Sequence, residues 1–181
     1  MRLFAGIALD EATRTACVQA QEQLRAAAFE AQYEPPEKMH VTLAFLGSVD
    51  DDEYDAVARV LDATAARATA LTLTLDKLGA FPNERRPRII YVGCRAQGAG
   101  FRGLANALRE RYSLMGFSFA DHAVAHVTIA RVKGGSTRPL PMLDLPASEL
   151  QANDLALFES VPDRKTTRYV IRHTAPLPVS R

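Results

Sequence analysis

The chain carries the tetrapeptide His40-Val41-Thr42-Leu43 and, 86 positions later, His126-Val127-Thr128-Ile129, each inside an apolar, β-branched run. Such runs read as strands, and in a strand successive side chains point to opposite faces. His40 and Thr42 therefore share one face while Val41 and Leu43 share the other, and the second copy repeats the arrangement. If the two strands pair around a pseudo-twofold axis, two imidazoles and two hydroxyls converge on one cleft. That set of groups suits proton-in, proton-out chemistry at a phosphate.

The segments around the two motifs repeat an order as well. Residues 2–9 read as a strand, and Asp10 is an N-cap for a helix with Ala12, Ala16, Ala20, Leu24 and Ala27 at near-helical spacing. Glu34-Pro35-Pro36-Glu37 stops anything helical and leads into the first motif strand. Asp50 to Glu53 supply a cap and an acidic first turn to a second helix, with Val57, Val60, Leu61 and Thr64 in its buried stripe. Leu and Thr alternate from Leu71 to Leu75, the pattern of a half-buried strand. A strand over 88–94, a helix over 101–115 closed by Gly116, and the second motif strand follow. A Gly/Pro-rich connection over 134–146 then leads to strand candidates at 155–160 and 168–174.

Strand, helix and motif strand thus occur in that order at 2–47 and again at 88–132. This weak duplication predicts an α+β fold of two pseudo-symmetric lobes, each an antiparallel sheet with helices on its outer face and the active-site cleft between the sheets. The chain is expected to form a single bilobal domain over 1–181, with lobes at approximately 1–82 and 83–181 and terminal strands that can cross over.

Composition narrows the setting. At this length a chain buries roughly 70% of the surface it exposes when unfolded, enough for a core without covalent staples. Two cysteines, Cys17 and Cys94, are too few for a disulfide framework and fit a reducing compartment. The apolar residues 3–9 are followed at once by Asp10-Glu11 with no cleavage-site pattern, so they read as a first strand and not as a signal peptide. No apolar stretch approaches the roughly eighteen residues of a membrane span. A cytoplasmic, monomeric protein without a membrane partner is expected. The net charge of +1 gives no global pull toward nucleic acid. Eighteen of the 22 basic residues are Arg, which suits forked phosphate recognition but equally follows a composition bias in an Ala-rich chain.

His-Val-Thr-Leu-Ala-Phe-Leu-Gly from His40 and His-Val-Thr-Ile-Ala-Arg-Val from His126 resemble the paired His-x-Thr/Ser signatures of the 2H phosphoesterase superfamily. The resemblance is strongest to the RNA 2′,3′-cyclic phosphodiesterases, also called 2′-5′ RNA ligases. It extends through Arg-Leu-Phe-Ala-Gly-Ile-Ala-Leu at 2–9, the Leu/Thr strand with its continuation to Phe81, and Arg-Ile-Ile-Tyr-Val-Gly-Cys at 88–94. The family usually has Pro before the second His, where this chain has Ala125.

The resemblance implies hydrolysis of RNA 2′,3′-cyclic phosphate ends to 2′-phosphate, with possible reverse ligation that consumes no ATP. It implies His40 as proton donor and His126 as proton acceptor, with Thr42, Thr128 and Arg131 on the phosphate and Phe45 under the nucleobase. Histidine suits both proton jobs because its ordinary pKa is about 6.5. Strict alternation would put Phe45 and Arg131, each five residues after a histidine, on the opposite face unless the strand twists or bulges. Implied partners are RNA ends, tRNA fragments among them, or small cyclic nucleotides, with no cofactor and no metal. Rival readings are a phosphodiesterase for a small nucleotide, such as ADP-ribose cyclic phosphate or 2′-5′ oligoadenylate, and a noncatalytic RNA-end or nucleotide-binding module.

Outside the motifs, His122 and His126 have the spacing of helical zinc ligands, but the β-branched run after His126 and the lack of a third ligand disfavour that reading. His173 reads as a surface strand residue, and Arg85-Arg86-Pro87-Arg88 as a solvated loop.

Overall fold

The computed structural model describes residues 1–96, 98–134, 136–163 and 166–179. Gly135, inside the Gly/Pro-rich connection, lies outside the described residues. The strands β1 (Arg2–Ala8), β2 (Gln32–Tyr33), β3 (His40–Ser48), β4 (Leu71–Leu75), β5 (Lys77–Phe81), β6 (Ile89–Gly93) and β7 (His126–Arg131) are joined by three helices. These are α1 (Glu11–Ala26), α2 (Tyr54–Ala65) and α3 (Ala99–Ser113), and the chain closes with β8 (Ser148–Ala152), β9 (Asp154–Asp163) and β10 (Thr166–Pro176).

The fold is α+β with antiparallel sheets, as the repeated pattern predicts. One sheet has the order β10-β9-β1-β3-β7-β6-β5, with β2 also on β7, and a separate ribbon pairs β4 with β8. Strands β1 and β3, and again β6 and β7, are the neighbours that the repeat calls for. The two motif strands meet at the Val41–Val127 pair. An antiparallel register about that pair faces His40 toward Thr128 and Thr42 toward His126. Strands β2 and β3 both lie on the edge of β7 not taken by β6, with β2 opposite Ala130 and Arg131. Strand β3 therefore diverges from β7 after one pair, and β2 fills the widening gap.

Local chemistry sets the element ends. The Asp10 carboxylate accepts from the Thr13 amide at 2.7 Å and starts α1. The buried face of α1 runs through Thr13, Cys17, Ala20, Gln21 and Leu24, rotated from the alanine stripe so that it takes in two polar residues. Helix α2 follows the expected stripe at Val57, Leu61 and Thr64, but residues 51–53 form a turn and Glu53 caps nothing with its side chain. Gly116, with φ of 96°, turns the chain after α3 in a conformation that other residues avoid.

The main core contains Val41, Leu43, Val127 and Ile129, all fully buried, together with the inner faces of the helices. Each large apolar side chain so buried contributes about 1.5–3 kcal/mol. A smaller cluster of Phe4, Ala156 and Phe158, with Tyr169 against it, sits apart from that core and touches His40 through its aromatic rings. Gly6 lets β1 and β3 lie close here, because a Cβ at this position would come within 2.5 Å of the Val41 carbonyl oxygen. Among the described residues no helix is long and apolar enough to cross a membrane.

Candidate active site

The two motif strands share one burial sequence over six residues. His40 and Thr42 are half-buried, Val41, Leu43 and Ala44 buried and Phe45 exposed, and His126 to Arg131 repeat this position by position. The break in alternation comes from a bulge in each strand. Opposite β1, Ala44 pairs with Ala5 and Thr42 with Gly6, so Leu43 is the extra residue. Opposite β6, Ala130 pairs with Ile90 and Thr128 with Tyr91, so Ile129 is the extra one. Each bulge shifts the phase of the strand by one residue and returns the side chain at offset five to the histidine face.

The consequence is that His40, Thr42, Phe45, His126, Thr128 and Arg131 line one cavity of about 110 Å³. Phe45 stays out of the core, 49% exposed, and stacks on Phe4 with ring centroids 5.4 Å apart. Three residues that the sequence reading missed complete the lining: Glu34, Lys38 and Tyr169. Glu34 enters because β2, wedged beside β3, ends one residue before it. Lys38 follows in the short 3-10 helix Pro36–Lys38, and Tyr169 arrives from distant β10.

Both imidazoles are tethered in the same way. His40 Nδ1 lies 2.7 Å from the Lys38 carbonyl and His126 Nδ1 lies 2.8 Å from the Val124 carbonyl, so each Nδ1 donates and each neutral ring keeps its lone pair on Nε2. The Thr42 hydroxyl, 3.0 Å from His40 Nε2, donates to that lone pair when the ring is neutral. Aromatic rings hold the imidazoles at their edges. Tyr169 makes a T-shaped contact with His40 at 5.2 Å, and Phe81 and Tyr91 do the same for His126 at 5.2 and 5.1 Å.

Burial dominates the protonation of both. It pushes His40 down to about 4, the Lys38 carbonyl and Glu34 opposing it and His126 and Arg131 adding to it. Burial also lowers His126, with the Val124 carbonyl opposing and Arg131 adding. Both rings are thus neutral near pH 7 in the unliganded cleft.

Arg131 Nε donates to Glu34 Oε1 at 2.6 Å, and Lys38 Nζ lies 4.0 Å from Glu34 Oε2. The Glu34 backbone is pinned as well. Its amide donates to the carbonyl of the bulge residue Ile129 at 2.9 Å, and the buried Gln21 amide donates to the Glu34 and Ile129 carbonyls at 2.7 and 2.8 Å.

Other sequence candidates lie elsewhere. His122 sits beside Asp121 and Arg109 in an open depression, away from the cleft. His173 pairs with Asp62 of α2 at 2.7 Å, and Arg85, Arg86 and Arg88 are exposed. Among the described residues no group of three or more His, Cys, Asp or Glu is placed to hold a metal ion.

Comparison with known proteins gives this arrangement its class. Residues 7–91 match the model of the LigT like phosphoesterases. An RNA 2′,3′-cyclic phosphodiesterase of Archaeoglobus fulgidus is 27% identical over 165 residues, which cover 89% of this chain and 92% of that one. One of the same name from Thermotoga maritima is 32% identical over 133 residues, covering 74% and 71%. The crystal structure of E. coli LigT complexed with NADP+ superposes with a TM-score of 0.80 at 25% identity, over 98% of this chain and 97% of that one. The fold is that of a 2H phosphoesterase. Within that class, the chain belongs to the family of LigT-like phosphoesterases.

Proposed function

We propose that this protein hydrolyses RNA 2′,3′-cyclic phosphate ends to 2′-phosphates by two-histidine acid/base catalysis. The observation that carries the reading is the common tether of His40 and His126, which leaves the Nε2 of each ring available in one cleft that Thr42 and Thr128 also line. His126 Nε2 takes a proton from water as the water oxygen bonds to phosphorus. The P–O3′ bond breaks, and His40 Nε2–H protonates the departing ribose oxygen. Thr42 and Thr128 donate to the non-bridging oxygens, where charge builds up, and Arg131 adds a forked donor. Phe45 offers the nucleobase a stacking face.

A bound phosphate anion favours the imidazolium that His40 needs, so the acid is charged by its own substrate. With an RNA 5′-hydroxyl in place of water as the nucleophile, the same residues form a 2′-5′ linkage as the P–O3′ bond breaks, without ATP. Support also comes from the relatives, which carry the name of this activity, and from the E. coli protein, which was crystallised with a nucleotide.

The test is turnover of purified protein, in EDTA, with RNA ending in 2′,3′-cyclic phosphate, ADP-ribose cyclic phosphate and 2′-5′ oligoadenylate as competing substrates. The RNA end should be opened to a 2′-phosphate. Turnover of only one of the small nucleotides would move the assignment to that substrate, and turnover of none would leave a binding module.

A further inference from the structure

Glu34 is an unexpected group for a phosphate cleft. Its side chain is 17% exposed, it lines the same cavity as both histidines, and its carboxylate holds the two flexible cations of the site, Arg131 at 2.6 Å and Lys38 at 4.0 Å. Its placement is built in, since the Ile129 carbonyl accepts from its amide and Gln21 donates to its carbonyl. A phosphate pocket meant only to bind anions tightly gains nothing from a carboxylate at this point, because like charges at this range repel.

The formal charges explain its use. In the free cleft, where both imidazoles are neutral, Lys38 and Arg131 against Glu34 leave one positive charge among these side chains, and the imidazolium that a bound phosphate favours adds to it for diester and monoester alike. A cyclic phosphodiester carries one negative charge. The phosphomonoester made from it has a second ionisation near about pH 6 and approaches two negative charges above that.

We propose that Glu34 is a charge filter that sets the specificity of this cleft for monoanionic phosphodiesters and expels the dianionic monoester product. The inference rests on the phosphodiesterase reading above, in that it says which phosphates the same site retains. Glu34 stands beside the cations that would otherwise close on a dianion, and it competes with the second negative charge for Arg131 and Lys38. A monoanion needs less of that charge and is displaced less. The other ionisable groups facing this point are His40, His126 and Tyr169, and each is shared by both ligands.

The test is calorimetric binding at pH 8 of adenosine 2′-monophosphate, a dianion, and of its phosphate methyl ester, a monoanion, to the wild type, Glu34→Gln and Glu34→Asp. Turnover of an RNA cyclic phosphate end by the wild type is measured on the same preparation, and melting curves accompany each variant. Glu34→Gln should shift the affinity ratio toward the monoester by about tenfold. Glu34→Asp keeps the charge while shortening the reach to Arg131, and should hold the wild-type ratio. Equal weakening of both ligands by Glu34→Gln would show a carboxylate that only positions Arg131, and an unchanged ratio, or no binding of either nucleotide, would equally overturn the filter. A shifted ratio without wild-type turnover would instead remove the catalytic reading and keep the filter.

Discussion

His40 and His126 sit where burial lowers the pKa of both rings, and this has consequences for both stability and rate. In the unfolded chain His40 titrates near its ordinary value of about 6.5; in the fold it titrates at about 4. The folded state therefore binds fewer protons between these values. Its contribution to stability is fully present above the unfolded pKa and is lost as pH falls toward the folded one, on the order of 1–3 kcal/mol. Melting temperatures across that window should fall more steeply for the wild type than for His40→Asn; parallel curves would refute the assigned burial. The rate follows the same logic. Since kcat/KM reports the free enzyme, its bell should peak on the acid side of about pH 6.5, with limbs that belong to the coupled pair. The alkaline limb of kcat should lie higher, because bound phosphate favours the imidazolium. Identical limbs in the two profiles would argue against substrate-assisted charging.

At the scale of elements, the two bulges convert a repeated motif into a site. Alternation read from residues 40–45 and 126–131 puts Phe45 and Arg131 on the wrong face, and the structure corrects it through Leu43 and Ile129. A bulge is set by the partner strand as much as by the strand that carries it, so the motif residues alone do not reveal it. Strands, helices and the His/Thr face were legible because each has its own period. Strand β5 was not, because Lys77-Leu78-Gly79-Ala80-Phe81 carries no polar–apolar alternation, although its partner β6 lies close by, and strands β2 and β8 were not, being held by pairing to distant segments. Glu34, Lys38 and Tyr169 were missed for the same reason: each reaches the cleft by the tertiary path of β2 or β10, not by spacing from a histidine.

Gln21 ties this arrangement to α1. Gln21→Leu leaves the Glu34 carbonyl without its buried donor and should cost about 1–3 kcal/mol of stability. It should also change KM more than kcat, since it loosens the Glu34–Arg131 pair and not the imidazoles. An equal loss in both parameters would show that the bond matters for the fold alone. Gly6→Ala forces β1 away from the Val41 carbonyl and should cost about 1–3 kcal/mol or more, read as a drop in melting temperature. A neutral result would mean that β1 and β3 separate without strain.

For the whole molecule, the sheet order joins the two motif strands at Val41 and Val127, and the final strands return to β1 to complete its half of the sheet. The duplicated strand–helix–strand order made that arrangement legible, while the return of β9 and β10 depends on a connection that carries no periodic signal. In the proposed mechanism, chemistry needs one imidazole from each copy. The most direct measurement is the single-turnover opening of an RNA 2′,3′-cyclic phosphate in EDTA by the wild type, His40→Ala, His126→Ala and the double variant, with the product phosphate located. A positioned acid or base is worth about 10²–10⁴-fold. Each single variant should lose at least that much with its melting curve preserved, the double should be little slower than either, and the wild-type product should be the 2′-phosphate. Full activity in either single variant, a 3′-phosphate product, or wild-type activity that EDTA abolishes and zinc restores would contradict the two-histidine mechanism.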